Sequence, residues 1–320
     1  MLSWIAVITG FVLLVWSADR FVFGAAATAQ NLGISPLIIG MTIMGFGTSA
    51  PELVVSVIAS LNGNAGLAIG NAIGSNIANI AMVLGTSALV APLSVDSNLL
   101  RREFPILLLI TFTVFAFMWG GKLTRIDGAI FLTCFIILIL WMIYIGSQSR
   151  RTDPMATEFD AEIPHAVAMR KALFWVTIGL IMLLLSSRLL VWGAVVIAKS
   201  LGVSDLFIGL TIVAIGTSLP EMAASIMGTL KGEHEIALGN VLGSNMFNLL
   251  AVLGVSGVIG PGEISPEVLE RDFPVMIGFS IALFLMAYGF RGPGRINRIE
   301  GGILVLGFSG YLTLLYLTST

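Results

Sequence analysis

Along this chain apolar residues come in long blocks, separated by short segments of glycine, proline and charge. Neither the two-residue alternation of a half-buried strand nor the polar stripe of a soluble amphipathic helix runs through them. A helix needs ~20 apolar residues to cross a bilayer. By that measure the blocks predict ten membrane spans, at 2–31, 35–61, 66–91, 103–120, 125–146, 170–200, 204–230, 235–259, 272–290 and 297–317. The longest blocks predict helices that tilt or break. The expected fold class is all-α, a polytopic membrane protein of ten transmembrane helices.

The pattern occurs twice. Shifted by 169 positions, GISPLIIGMTIMGFGTSAPELVVS (33–56) lies on GVSDLFIGLTIVAIGTSLPEMAAS (202–225), and AIGNAIGSNIANIAMVLG (68–85) lies on ALGNVLGSNMFNLLAVLG (237–254). Over residues 33–85, 25 of 53 positions are identical without a gap. Residues 1–146 are therefore read as a first five-helix repeat, 147–169 as a cytosolic linker and 170–320 as a second five-helix repeat. Five is odd, so the second half enters the membrane from the opposite side, and the halves are inverted repeats. Inverted repeats with Gly/Pro-interrupted helices at matching positions point to a transporter site.

Composition agrees. Hydrophobic residues make up 57% of the 320 and charged residues 11%, against ~25% charged in soluble domains. That excludes a soluble globular fold and also disorder, which needs low hydrophobicity. A net charge of −2 gives no basic surface for nucleic acid, and the expected surroundings are the lipid bilayer. The one cysteine, Cys134, reads as a small core hydrophobe. His165 and His234 fall in expected loops without zinc-ligand spacing. The N-terminal block has no basic flank or small-residue cleavage site, so it reads as a retained first span.

Lys and Arg counts orient the spans. With the N-terminus outside, inside loops hold Arg101, Arg102, Arg150, Arg151, Arg170, Lys171, Lys231, Arg291, Arg295 and Arg298, and outside loops hold Lys122, Arg125, Lys199 and Arg271. Both termini are thus expected outside, in a prokaryotic inner membrane. Asp19, Arg20 and Arg188 remain within spans. Asp19 falls on Arg188 under the 169-residue shift, so the two are expected either to pair near a membrane face or to snorkel to headgroups.

Glu52 follows GTSAP in span 2, and Glu221 follows GTSLP in span 7. A charge at the bilayer centre costs ~2.5–3.5 kcal/mol, so two at equivalent positions need a purpose. Pro51 and Pro220 release the carbonyls of Gly47 and Gly216 from the helix ladder. Each motif thus offers backbone carbonyls, two hydroxyls and a carboxylate. Ser75 and Asn79 share one helix face in span 3, as do Ser244 and Asn248 in span 8, with Asn71 and Asn240 one turn earlier. The pairs Gly70/Gly74 and Gly239/Gly243 have the spacing that lets helix backbones approach closely. Oxygen-only donors suit hard cations, above all Ca²⁺, and not zinc or copper. Two carboxylates neutralise one Ca²⁺. The same oxygens could hold Na⁺, or the glutamates could be protonated.

At these residues the chain resembles the cation/calcium exchanger superfamily, specifically the sodium/calcium exchangers and their bacterial relatives. The two GTSxPE and GNxxGSNxxN blocks match that family's paired repeats. The resemblance implies eight helices in a compact core around the ions, with two long tilted helices, here spans 1 and 6, sliding across it. By motif position it implies the ligands Gly45 (carbonyl), Thr48, Ser49, Glu52, Ser75 and Asn79. From the second half it adds Ala214 (carbonyl), Thr217, Ser218, Glu221, Ser244 and Asn248. Well-known sodium/calcium members carry Asp where this chain has Asn248.

The reading is antiport of Ca²⁺ against Na⁺ by alternating access, with H⁺-coupled or K⁺-dependent exchange as the alternative. A sodium-coupled symporter of an organic solute would need aromatic walls and anion-binding helix N-termini, and the repeats carry only small polar side chains near the carboxylates. An enzyme is not expected, since Ser49 and Ser218 have no His or Lys beside them and no nucleotide loop occurs. No cofactor is expected. The sequence does not specify an oligomeric state.

Overall fold

The computed structural model describes residues 2–34, 36–95, 102–149, 167–201, 214–288 and 294–319. Among these, helices follow the predicted blocks closely. α1 (Leu2–Leu32) is continuous. The second span is built in pieces: α2 (Pro36–Ile39), a π-helical turn (Gly40–Met44), α3 (Gly45–Thr48) and α4 (Ala50–Leu61), with a 48° bend between the segment ending at Thr48 and α4. α5 (Ala65–Ala78) runs through a π-helical turn (Asn79–Leu84) into α6 (Gly85–Val90), and α7 (Phe104–Met118) and α8 (Arg125–Ser149) complete the first half.

The second half repeats this order. It holds α9 (Met169–Ser200), α10 (Ala214–Thr217), α11 (Leu219–Leu230), α12 (His234–Phe247), a π-helical turn (Asn248–Val252) and α13 (Leu253–Ile259). A further π-helical turn (Val268–Asp272) leads into α14 (Phe273–Ala287), and α15 (Arg298–Ser319) ends the chain. The start of the predicted seventh span, 204–213, lies outside the described residues, as do Arg101, Arg150, Arg151, His165 and Arg291. His234 opens α12 instead of sitting in a loop.

Among the described residues six helical segments are long and apolar enough to cross a bilayer, and the bent pair Gly40–Thr48 with Ala50–Leu61 makes a seventh if taken as one span. α7 has 15 residues, so at 1.5 Å per residue it reaches about 22 Å, short of the full hydrocarbon thickness.

The segments divide into an inner and an outer set. In the most apolar stretch of Ala65–Val90, 78% of positions are buried, and in that of His234–Ile259, 83%. The corresponding share is 22% for Arg125–Tyr144, Met169–Ile197 and Arg298–Leu317. The two Asn-bearing segments therefore form the centre, while α8, α9 and α15 turn apolar side chains such as Ile136, Ile137 and Leu140 outward. Cys134 is among the outward ones, which corrects its reading as a core residue. An apolar outer helix carries the same residues on its lipid face as on its packed face, so composition does not separate the two.

The halves interlock reciprocally. Leu93–Ser94 pairs antiparallel with Arg295–Ile296, and Lys122–Leu123 pairs antiparallel with Gly262–Glu263. Each pairing joins a loop of one half to a loop of the other. Two close helix contacts follow the same exchange. A Cβ on Gly301 would stand 2.7 Å from the Gly85 carbonyl oxygen, and one on Gly128 would stand 2.6 Å from that of Gly254. Only glycine permits such approach. Of the glycines at GxxxG spacing, Gly243 lies tight against Met41, whereas Gly74 has no described atom within 4 Å of its Cβ position. The residue that the repeat places opposite Gly74, 210, is outside the described residues.

α1 and α9 pack along their length, with Gly10 against Leu190 and Gly179 against Phe21. With Ala224 and Ile236 they build a hydrophobic cluster of their own, separate from the main one centred on α5 and α12. Asp19 on α1 does not pair with Arg188. Its carboxylate lies 2.9 Å from Lys231 Nζ, just beyond α11, and 3.4 Å from Arg20 Nε. Arg188 is exposed on α9. Repeat arithmetic relates equivalent positions of the halves, and equivalence in sequence does not by itself mean contact: Asp19 meets Lys231, not Arg188.

Candidate functional site

Both halves break their helix at the same point. Ser49 has φ −83° and ψ 9°, and Ser218 has φ −87° and ψ 5°. Pro51 and Pro220 then stand at the start of α4 and α11, where the missing N–H costs nothing. Glu52 and Glu221 fall in the first turns of these helices. There the unpaired N–H groups and the helix dipole favour a carboxylate. The Pro–Glu spacing thus sets each buried carboxyl group at a helix N-terminus.

The released Gly216 carbonyl accepts a 3.2 Å hydrogen bond from Ser187 Oγ of α9. It therefore faces the neighbouring helix, and the oxygen that reaches the second half is Gly45 O, which accepts from Ser244 Oγ at 3.0 Å. A Cβ at position 45 would stand 2.8 Å from the Ser244 backbone nitrogen, so this contact needs glycine.

The two motifs meet across the centre. Ser49 Oγ donates to Glu221 Oε1 at 2.8 Å, and Thr48 Oγ1 donates to Asn240 Oδ1 at 3.2 Å. Asn240 in turn holds its own half, with Nδ2 donating to the Glu221 carbonyl at 3.2 Å and to Ser225 Oγ at 2.9 Å. Asn71 makes the equivalent bonds, to the Glu52 carbonyl at 3.0 Å and to Ser56 Oγ at 2.9 Å. Asn71 and Asn240 thereby tie each Glu-bearing helix to the adjacent Asn-bearing one.

Asn79 and Asn248 each begin a π-helical turn, a feature that re-aims side chains and concentrates at functional sites. Asn79 Nδ2 donates to Asn245 Oδ1 and Asn248 Nδ2 donates to Asn76 Oδ1, both at 3.1 Å. The structure thus brings together Gly45, Thr48, Ser49 and Asn79 with Glu221, Ser244 and Asn248. Glu52, Ser75 and Ser218 are buried on the same elements. Thr217 ends α10 half-buried, and Ala214 begins it.

Several buried oxygens of this cluster have no hydrogen-bond partner in the protein: both of Glu52, Oε2 of Glu221, Oγ of Ser218, and Oδ1 of Asn79 and of Asn248. Buried polar atoms are nearly always satisfied, so such a group calls for an explanation. A hard cation, which takes six to eight oxygens in its calcium form, supplies one. Among the described residues no three His, Cys, Asp or Glu side chains gather as a metal ligand set. Hydroxyl, amide and carbonyl oxygens must therefore complete any cation shell around the two carboxylates.

Reading by sequence passed over Asn76 and Asn245. Their signal was available: each follows the serine of a duplicated GSN and sits three residues before Asn79 or Asn248. Ser187 had no such signal, because position 18 is alanine and the repeat does not duplicate it.

A helical membrane protein with a buried, oxygen-lined, doubly acidic centre belongs to the class that handles hard cations within the bilayer. The family model for sodium/calcium exchanger protein matches residues 2–144 and 171–317. CaxA of Alkalimonas amylolytica is 50% identical, over 99% of both chains. Sodium/calcium exchanger MaX1 of Methanosarcina acetivorans is 30% identical, over 98% of both. The solved structure of the sodium-calcium exchanger NCX_Mj superposes with a TM-score of 0.84 at 32% identity, covering 98% of each chain. The chain belongs to the sodium/calcium exchanger family, and it is an integral membrane protein of the cation/Ca²⁺ antiporter class.

Proposed function

We propose that this protein exchanges Ca²⁺ for Na⁺ by alternating access, binding both at one mid-membrane site. The observation that carries the proposal is the pair of buried glutamates, one from each half, with the first half reaching the second through the Ser49–Glu221 bond. Their combined charge of −2 matches one Ca²⁺. Ligands to Ca²⁺ and Na⁺ are the carbonyls of Gly45 and Ala214 with Thr48, Ser49, Glu52, Ser75, Asn79, Thr217, Ser218, Glu221, Ser244 and Asn248.

The chain forms ten spans in two inverted repeats, 1–146 and 170–320, with a cytosolic linker at 147–169 and both termini outside the inner membrane. Support comes from the reciprocal strand pairs. The loop after α6 meets the loop before α15, and the loop before α8 meets the loop after α13, as that topology requires. E. coli inner membrane protein YrbG, 42% identical over 99% of this chain, supports the location.

Coupling follows from competition. A site loaded with Ca²⁺ is neutral, and so is one loaded with two Na⁺, so either can cross the low-dielectric interior. An empty site carries two uncompensated carboxylates, which is costly. Flux assays with Na⁺, K⁺ and H⁺ gradients side by side test the reading. Ca²⁺ uptake driven by Na⁺ alone is expected. Uptake driven only by H⁺ would assign proton coupling instead.

A further inference from the structure

Asn248 ends in an amide, so one terminal atom can coordinate a cation and the other can only repel it. The bonds around Asn248 decide which faces the site. The backbone carbonyl of Asn245 can only accept, and Asn76 Nδ2 donates to it at 3.2 Å. That turns Asn76 Oδ1 toward Asn248, whose Nδ2 donates to it at 3.1 Å. With its nitrogen committed, Asn248 is left presenting Oδ1, buried and without a partner in the protein. Flipping either amide would set two donors or two acceptors face to face, so the order of the chain is fixed from the carbonyl outward.

The first half has no such anchor. Asn79 Nδ2 donates to Asn245 Oδ1 at 3.1 Å, but Asn245 Nδ2 is buried without a partner. If both of these amides flip together, Asn245 donates to Asn79 and no bond is lost. The amide–amide bond is thus made in both halves, and its polarity is enforced in one only.

We propose that Asn76 is a positioning residue that locks Asn248 with its carbonyl oxygen toward the transported cation, while Asn79 remains free to turn its amide. The inference rests on the proposed binding site and adds a residue that does not itself touch the ion. It also predicts where the lock is dispensable. An aspartate at position 248 has oxygen at both ends and needs no orientation.

The test is a double-mutant cycle in proteoliposomes, reading the half-saturating Ca²⁺ concentration and the maximal rate of Na⁺-driven ⁴⁵Ca²⁺ uptake. Asn76→Ala is expected to raise half-saturation by about tenfold or more, as for a buried amide donor left without its acceptor, with a smaller effect on maximal rate. In an Asn248→Asp background the same substitution is expected to change half-saturation by less than about twofold. A second variant, Asn76→Gln, keeps both the donor for the Asn245 carbonyl and the acceptor for Asn248 and is expected to shift half-saturation less than Asn76→Ala does. An equal shift in both backgrounds, no shift in the wild-type background, or an Asn76→Gln shift as large as that of Asn76→Ala would overturn the lock. Wild-type protein that takes up no Ca²⁺ would remove the proposed function and this inference with it. Wild-type uptake with a flat cycle removes only the inference.

Discussion

The Ser49 hydroxyl, from the first half, donates a 2.8 Å hydrogen bond to Oε1 of Glu221, from the second. The partner bond, Ser218 to Glu52, is not made: Ser218 Oγ and both Glu52 oxygens have no hydrogen-bond partner in the protein. The two glutamates are therefore equivalent by sequence and unequal in setting. Glu221 takes a bond from the other half, and Glu52 takes none. Ser49→Ala should raise half-saturating Ca²⁺ more than Ser218→Ala does, because it also removes a bond to a carboxylate of about 1.5–3 kcal/mol. Paired uptake titrations of the two variants check this, and equal shifts would argue that the bond has no part in ion binding.

Glu52→Gln and Glu221→Gln replace each carboxylate by an amide of the same shape. Each should abolish Ca²⁺ uptake while the protein remains monodisperse on size-exclusion chromatography. The charge of the site falls from −2 to −1, and a divalent ion then crosses uncompensated. Normal uptake in either variant would remove that glutamate from the site.

Asn71 and Asn240 each bridge a Glu-bearing helix to its neighbour through two hydrogen bonds. Asn71→Ala and Asn240→Ala should each lower stability by about 1–3 kcal/mol, since two buried hydrogen bonds are lost in each. Thermal unfolding in detergent would report it. Asn240→Ala should have the larger effect on transport, because Asn240 also accepts from Thr48 across the halves.

The Gly85–Gly301 and Gly128–Gly254 contacts leave no room for a methyl group. Gly301→Ala or Gly128→Ala should lower the unfolding temperature, by about 1–3 kcal/mol of overpacking. An unchanged melt would show that these helices can separate without cost.

Much of this was legible in the sequence because the bilayer is a severe filter. Apolar block length fixed the position of nearly every described helix, and the duplicated GTSxPE and GNxxGSN motifs marked the residues that meet at the centre. The short helices were less legible. α7 belongs to an apolar run, 103–120, that extends past both of its ends. What remained hidden was polarity and partnership. Apolarity did not separate lipid-facing Cys134 from core residues such as Ile77. The 169-residue shift related Asp19 to Arg188, yet contact lay with Lys231, because the end of α11 comes to rest beside α1. The π-helical turns at Asn79 and Asn248, and the amide chain through Asn76, depend on how two helices cross. Neither helix alone encodes that.

The central claim is that Na⁺ and Ca²⁺ compete for one site built on Glu52 and Glu221. Na⁺-loaded proteoliposomes diluted into Na⁺-free buffer with ⁴⁵Ca²⁺ test it most directly. The account predicts rapid uptake by the wild type, suppressed by external Na⁺ in competition with Ca²⁺ and absent in Glu221→Gln. Uptake equal to that of protein-free vesicles, or uptake by Glu221→Gln at the wild-type rate, would contradict it.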